Sequence, residues 1–534
     1  MNGIKNKILI IGVDGGDWKF IEKLVKNGNL PNIESIMKNG SRAILKSTFP
    51  PITPIAWTSI VTGLNPGKHG IFAWDRYENN KRIPVTTKDI KGIKLWNCFN
   101  YFHRKVIING VPLSYPPEEV DGCIISGWDA PYGNNDFISP ENIKNYIIEK
   151  FGKVNARLFR KNYKNFSQYK KDFFNWEEKR AKITLELMSK LDWDMVFHVF
   201  YYTDHFNHEH IGGSVNDVVD AYIHMDKIIG TFLRKADNCT KLIISDHGIK
   251  RYRKIFYINQ YLIEEKYLKV KQFFSSNDIK SGVLEYLNEK KLSAIIIKFL
   301  SEIITRMWRL LPLKVKKKLT KKIINKFNLL FKAIDFNSTV FYSRSRYGEI
   351  YINKKDEYIR EKKHLIKSLY KLKDPVTGEK LIEKIYDLKR LYKGEFLRDA
   401  PDLYIKFKRD DIQSYPDIEL EEINKNYLKI FDKEIGGDHS EDGIFLIQGN
   451  GIKKNKHIGM LNVVDIFPIV NFVCRIPIPQ NIDGILPEEI FECGYLEINK
   501  PAYIKNIEFT KSGKEISLEE KEQIKSRLKD LGYI

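Results

Sequence analysis

The chain is poor in cysteine: Cys98, Cys123, Cys239, Cys474 and Cys493 are its five, far apart and without a CxxC pair. That spacing excludes a disulfide framework and a zinc ribbon, and fits a reducing compartment. Long apolar runs are missing too. The nearest to the roughly 18 uncharged residues of a membrane span, Ala294 to Leu313, is broken by Lys298, Glu302, Arg306 and Arg309. The apolar run Ile8–Val13 is too short for a signal sequence and has no small-residue cleavage site, so it reads as a first strand. These absences make a cytoplasmic location the expectation. Internal repeats and low-complexity linkers are also absent.

Acidic residues vanish locally. Ile303 to Ile334 holds ten Lys or Arg and no Asp or Glu, so that stretch supplies nearly half of the formal charge of +21 and leaves +11 elsewhere. Such an excess invites nucleic acid, an anionic membrane surface or a phosphorylated substrate. Nucleic acid is not expected, because no recognised reading module accompanies the charge. Ile295, Phe299, Ile303, Met307 and Leu310 keep helical spacing, with Trp308 alongside and Lys314 to Lys322 following. A basic amphipathic helix of this kind can lie on an anionic membrane through 295–332; the plainer reading is a helical insertion with a solvated basic face.

A hydrophobic fraction of 43% and a charged fraction of 29% are those of a globular protein, and 534 residues exceed one compact core. Short apolar runs alternate with amphipathic segments, which predicts an α/β fold with a mostly parallel sheet. Buried strands are expected at Lys7–Val13, Ala43–Lys46, Lys105–Asn109, Cys123–Ser126, Met195–Tyr202, Lys241–Ser245, Glu349–Ile352 and Ile444–Gln448, with helices over Trp176–Lys190, Val215–Lys235 and Val463–Val473. The expected organisation is a catalytic core in two parts, 1–265 and 335–494. Between and after them come a cap-like, irregular aromatic insertion at about 134–175, a basic helical insertion at 275–334 and a tail at 495–534. Four apolar runs end on an acid or a histidine: Asp14, Asp204, Asp246-His247 and Asp438-His439. Sites in open parallel sheets form at the carboxyl ends of strands, so these four endings suggest one site assembled from distant segments.

Pro50-Pro51-Ile52-Thr53-Pro54 opens an apolar run that ends at Gly63. Thr53 suits an N-cap, Pro54 the first helical position and Gly63 the exit. A hydroxyl there would sit beside unpaired N–H groups, where a phosphoryl anion binds. Carboxylates and imidazoles converging on one point are what divalent cations need. Asp14, Asp246 and His247 could hold one ion with the Thr53 oxygen. Asp204 and His208, four residues apart, could hold a second with His439. His205 and His210 rival His208, while His69, His198 and His224 read as structural.

Ile11-Gly12-Val13-Asp14-Gly15, the Thr53 turn through Val61-Thr62-Gly63-Leu64-Asn65-Pro66-Gly67-Lys68-His69-Gly70-Ile71, Asp204-x-x-x-His208, Ser245-Asp246-His247-Gly248 and Gly437-Asp438-His439 resemble the nucleotide pyrophosphatase/phosphodiesterase branch of the alkaline phosphatase superfamily. Pro50-Pro51-Ile52-Thr53, Asn109-Gly110-Val111-Pro112 and Asp374-Pro375-Val376-Thr377-Gly378 are similar to the prokaryotic phosphohydrolase/phosphomutase proteins of that superfamily. The Leu531-Gly532-Tyr533 ending is frequent among them. The resemblance implies a three-layer α/β/α sandwich. It also implies two divalent ions, usually zinc with manganese or iron as alternatives, one on Asp14, Thr53, Asp246 and His247 and the other on Asp204, His208 and His439. It departs at Ala56, where many nucleotide phosphodiesterases carry an Asn for a phosphoryl oxygen, so their substrate does not transfer.

The implied chemistry is hydrolysis of a phosphate mono- or diester through a phosphothreonine on Thr53. A phosphoryl-group transferase or mutase on the same site, or a non-catalytic membrane-surface protein, are the alternatives. A sulfatase is excluded by Thr53-Pro54-Ile55-Ala56, which lacks the C/SxPxR context. The sequence sets no oligomeric state.

Overall fold

The structure, a computed structural model, describes residues 6–78, 81–131, 135–208, 214–271, 294–312, 315–316, 333–353, 359–417, 427–507 and 514–530. It divides into two compact units. The first comprises Met1–Arg251, Tyr392–Ala400 and Ile435–Ile534; the second comprises Tyr252–Leu391 and Pro401–Glu434.

The first unit is built on a nine-stranded sheet. Its strands in chain order are β1 (Ile8–Val13), β2 (Ser41–Lys46), β3 (Val106–Asn109), β4 (Gly122–Ile125), β5 (Ile138–Ser139), β6 (Met195–Phe200), β7 (Thr240–Ile244), β8 (Asp442–Gln448) and β9 (Lys456–Asn462). They lie in the order β9-β2-β8-β7-β1-β6-β3-β4-β5. β1 pairs in parallel with β6 and β7, and β3 with β6 and β4. Only β5 and β8 run against their neighbours. Every residue of β1 and β6 is buried, as strands covered on both faces by helices require. This is the expected mostly parallel α/β sheet. Sequence reading placed seven of the strands; β5 has two residues, and β9 is largely exposed and carries little apolar signal.

Gly12, the fifth of the six residues of β1, answers to a close approach. A Cβ there would stand 2.6 Å from the indole of Trp57 and 2.8 Å from Val199 Cγ2. The helix Thr53–Thr62 is buried along its whole length, and it can reach the sheet at this point only over a residue without a side chain. Gly12→Ala is therefore expected to destabilise the protein by about 1–3 kcal/mol, the cost of overpacking a full core. Urea unfolding checks this: an unchanged midpoint would mean that Trp57 yields freely.

The stretch read as irregular at 134–175 holds a helix at Glu141–Phe151, and the long helix Phe166–Lys190 begins ten residues earlier than its apolar pattern suggested. Tyr169 and Phe173 in that early part are buried. The tail forms a helix at Leu518–Asp530, while Leu531-Gly532-Tyr533 lies outside the described residues.

The second unit carries a three-stranded sheet (Ile412–Tyr415, Lys254–Tyr257, Leu428–Ile430) and a four-stranded one (Phe341–Tyr342, Glu349–Ile352, Leu403–Phe407, Ile382–Asp387). Phe256, Leu262, Phe341, Ile350, Leu365 and Leu403 belong to its core. The Asp374-Pro375-Val376-Thr377-Gly378 motif is a turn here. Asp374 Oδ1 accepts from the amides of Val376 and Thr377 at 2.9 and 3.2 Å, and the buried Lys254 ammonium pairs with Oδ2. Of the basic segment, most of 313–332 lies outside the described residues, as does His210.

Candidate metal centre

Chain direction explains how seven distant residues meet. β1, β2, β6 and β7 point the same way, so Asp14, Thr53, Asp204 and Asp246-His247 all follow strand ends at one edge of the sheet. β8 runs the opposite way, so the residues that precede it, including His439, come to that same edge. Backbone bonds tie the endings together: Asp14 N donates to Phe200 O at 2.9 Å, and Asp204 N to Asp14 O at 3.1 Å. Ser245 Oγ donates to Gly16 O at 3.1 Å and accepts from Ile444 N at 2.7 Å.

Two clusters result. In the first, ligand atoms of Asp14, Asp246 and His247 lie within 4.8 Å of one another. Thr53 Oγ1 stands 3.2 Å from His247 Nε2, which is itself 3.1 Å from Asp246 Oδ2. In the second, His208 Nε2 is 3.1 Å from Asp204 Oδ2, and His439 Nε2 is 3.2 Å from Asp204 Oδ1 and 3.3 Å from His208 Nε2. The two abut where the His247 and His439 rings stack at 3.8 Å. All seven residues singled out from the sequence are thus brought to one buried place.

Two of the imidazoles are fixed in orientation. His439 Nδ1 donates to Pro51 O at 2.8 Å and His247 Nδ1 to Gly248 O at 3.0 Å, which turns both Nε2 atoms toward the carboxylates. His208 lies just past the short helix Tyr202–Asn207, in extended conformation, and still reaches Asp204 across four residues.

Electrostatics fit a cation-binding site. Burial pushes the Asp14 carboxyl well above its ordinary pKa, and the charges of Asp246 and Asp204 push it further; the Trp57 indole opposes them. Burial also works against ionised Asp204, yet His208 and His439 outweigh it and hold that carboxyl well below the usual range. For His247, burial disfavours the charged ring, but Asp246 prevails and raises its pKa. Asp14 Oδ1 and Asp246 Oδ2 are buried oxygens without a hydrogen-bond donor. Orphaned carboxylate oxygens beside oriented imidazoles and a hydroxyl are a donor set suited to zinc, manganese or iron.

Thr53 corrects one expectation. Ile52, extended at φ −113°, is the N-cap, and Thr53 is the first helical residue. Its hydroxyl therefore does not cap the helix and is free to face His247. Gly63, at φ +66°, ends the helix in the left-handed region as expected. The N–H groups of Ile55 and Ala56 both donate to Ile52 O, and Pro54 has none. Among the described residues, the Thr53 amide is then the one first-turn donor without a carbonyl acceptor. This helix end offers an anion less than its position in the sequence implied.

His205 turns away from the clusters. Its ring stacks on Phe173 at 4.3 Å, and its nitrogens meet the Tyr169 hydroxyl and Arg157. His69 bonds Ser59 Oγ at 3.0 Å and accepts from Ile71 N at 3.1 Å, with burial lowering its pKa to about 3. His198 meets Thr184, and His224 meets Tyr202. Two contributors escaped the sequence reading. The Pro51 carbonyl orients His439 and has no side-chain signature. Trp57 holds down the Asp14 pKa from one helical turn after Thr53, and that spacing was a usable signal.

Residues 8–439 match the family described as type I phosphodiesterase / nucleotide pyrophosphatase. No curated protein matches the chain. Among solved structures, murine ectonucleotide pyrophosphatase/phosphodiesterase 5, determined as an inactive variant in complex with AMP, is similar. It shares 14% sequence identity and a TM-score of 0.51 over 91% of this chain and 100% of that one, which is a likeness of fold.

Proposed function

Because the chain belongs to the type I phosphodiesterase / nucleotide pyrophosphatase family, hydrolases of phosphate esters, we propose that it cleaves a phosphodiester by attack of Thr53 on phosphorus. The observation that carries this reading is the Thr53 hydroxyl, uncapped and buried, 3.2 Å from His247 Nε2 beside the carboxylates of Asp14 and Asp246. Asp14, Thr53, Asp246 and His247 would hold one divalent ion, and Asp204, His208 and His439 the other. Bound there, the ions supply positive charge that lowers the pKa of the hydroxyl and offsets charge on the phosphoryl and leaving oxygens.

The protein's own groups position the reaction. The Thr53 hydroxyl loses its proton to water, and its oxygen forms the new P–O bond as the ester oxygen departs with its electron pair and takes a proton from water. A further water then cleaves the phosphothreonine, restoring the Thr53 hydroxyl. The Pro51 and Gly248 carbonyls keep His439 and His247 from rotating. With Ala56 where the resemblance places an Asn, and few free helix N–H groups, the chain gives the phosphoryl oxygens little help of its own. The AMP of the murine neighbour is therefore not carried over.

The test is hydrolysis of bis-p-nitrophenyl phosphate and p-nitrophenyl phosphate by metal-stripped protein reloaded with zinc, manganese or magnesium. The expected result is a metal-restored rate with the diester preferred. Protein that binds two ions yet cleaves neither ester would sink hydrolysis of simple esters and favour transfer to another acceptor.

A further inference from the structure

The helix Ala294–Leu310 in the second unit is amphipathic in an unusual sense. Thr305 and Trp308 are buried, and Trp308 joins the core with Leu311 packed against it. At 100° per residue, Ile303, Met307 and Leu310 fall on the opposite side, with Ile304 beside them. That outward side is apolar: Ile303 and Ile304 are 38% and 37% exposed, Met307 63% and Leu310 85%. Arg306 and Arg309 are exposed along one flank. A helix that merely covered its own unit would turn its most apolar side inward, with charge outward. Here a tryptophan pins the helix while four large apolar side chains face out.

We propose that this face lies on an anionic lipid surface, with Ile303, Ile304, Met307 and Leu310 entering the acyl boundary and Arg306 and Arg309 meeting lipid phosphates. Charge selects that occupant. Ten Lys or Arg and no acid between Ile303 and Ile334 complement an anionic bilayer. A second copy of the chain would bring a segment of the same sign of charge. The helix has 17 residues interrupted by Lys298, Glu302, Arg306 and Arg309, and no described helix is long and apolar enough to cross a membrane. That combination suits a helix in the interfacial plane, with arginine stems along its edge.

The experiment is co-sedimentation of the full-length protein with sucrose-loaded vesicles of phosphatidylcholine alone or mixed with phosphatidylglycerol, at low and high salt. Pelleting with the mixed vesicles only, reversed by salt, is expected. Met307→Asp combined with Leu310→Asp should weaken it by about tenfold or more, with circular dichroism and ester hydrolysis unchanged because both side chains are already exposed. No pelleting with anionic vesicles, equal pelleting with neutral ones, or pelleting that survives the double substitution would each overturn the proposal. So would a dimer in sedimentation velocity that the same substitutions dissolve, since a second copy would then own the face. The outcome is independent of the chemistry proposed for Thr53.

Discussion

Thr53→Ala is expected to lower turnover of the preferred ester by about 10⁴-fold or more, the scale at which single nucleophile removals act, while two ions remain bound. At about 1.36 kcal/mol per decade this is more than about 5 kcal/mol of lost transition-state stabilisation. Structure keeps the result readable. Loss of a capping Thr would itself cost about 0.5–2 kcal/mol, and a fall in activity could then reflect partial unfolding. Ile52 occupies the cap position and the helix has no side-chain cap bond, so the Thr53 hydroxyl carries no such load. The variant should keep its unfolding midpoint and, by elemental analysis, most of its metal. Thr53→Ser, which retains the oxygen, should recover much of the rate. Wild-type turnover in Thr53→Ala would remove Thr53 from the chemistry altogether.

Asp14→Asn should move stability in opposite directions with and without metal. Asp14 is buried, its Oδ1 lacks a donor, and burial together with Asp246 and Asp204 opposes its charge. In metal-free protein the amide has nearly the same shape without the buried charge and its repulsion from Asp246 and Asp204, so a gain in stability is expected. In the presence of metal the variant should lose the stabilisation that a bound ion gives, because binding to the folded state alone adds RT ln(1 + [L]/Kd). Affinity at that cluster should fall by more than the roughly 10–100-fold seen when an outer-shell partner is lost. Urea unfolding with chelator and with zinc, beside calorimetric titration, separates these effects. A variant equally destabilised in both conditions would make Asp14 a structural carboxylate, and the first cluster would no longer be a metal centre.

Much of the fold was legible because burial on both faces leaves a plain mark. β1 is an unbroken apolar run and β6 is apolar apart from His198, and Asp14 and Asp204 follow their ends. β9 gave no such mark, since most of its side chains are exposed, and β5 is too short to have a period. The start of Phe166–Lys190 was hidden for another reason. Tyr169 and Phe173 pack around His205, so their burial follows a local aromatic cluster more than one helical stripe. The choice between His205 and His208 shows the same divide. Spacing favoured His208, and its contact with Asp204 agrees, but only the folded chain shows both His205 nitrogens engaged elsewhere.

By itself the sequence determined which chemistry was within reach. Residue type decides what can bind a cation or attack phosphorus, and Asp14, Thr53, Asp204, His208, Asp246, His247 and His439 carry those groups wherever they lie. The apolar runs before them likewise committed the chain to a mostly parallel sheet, because strand burial is written in side-chain polarity. Tertiary structure alone decided that these groups share one edge. His439 arrives there because β8 runs against its neighbours, and strand direction comes from pairing across hundreds of residues. It decided as well that Thr53 stands one place inside its helix, with its hydroxyl turned to His247, and that over Ile303–Leu310 the outward side is the apolar one. Cap position depends on backbone torsion, and exposure depends on what the rest of the chain covers; neither is a property of a residue's own letter.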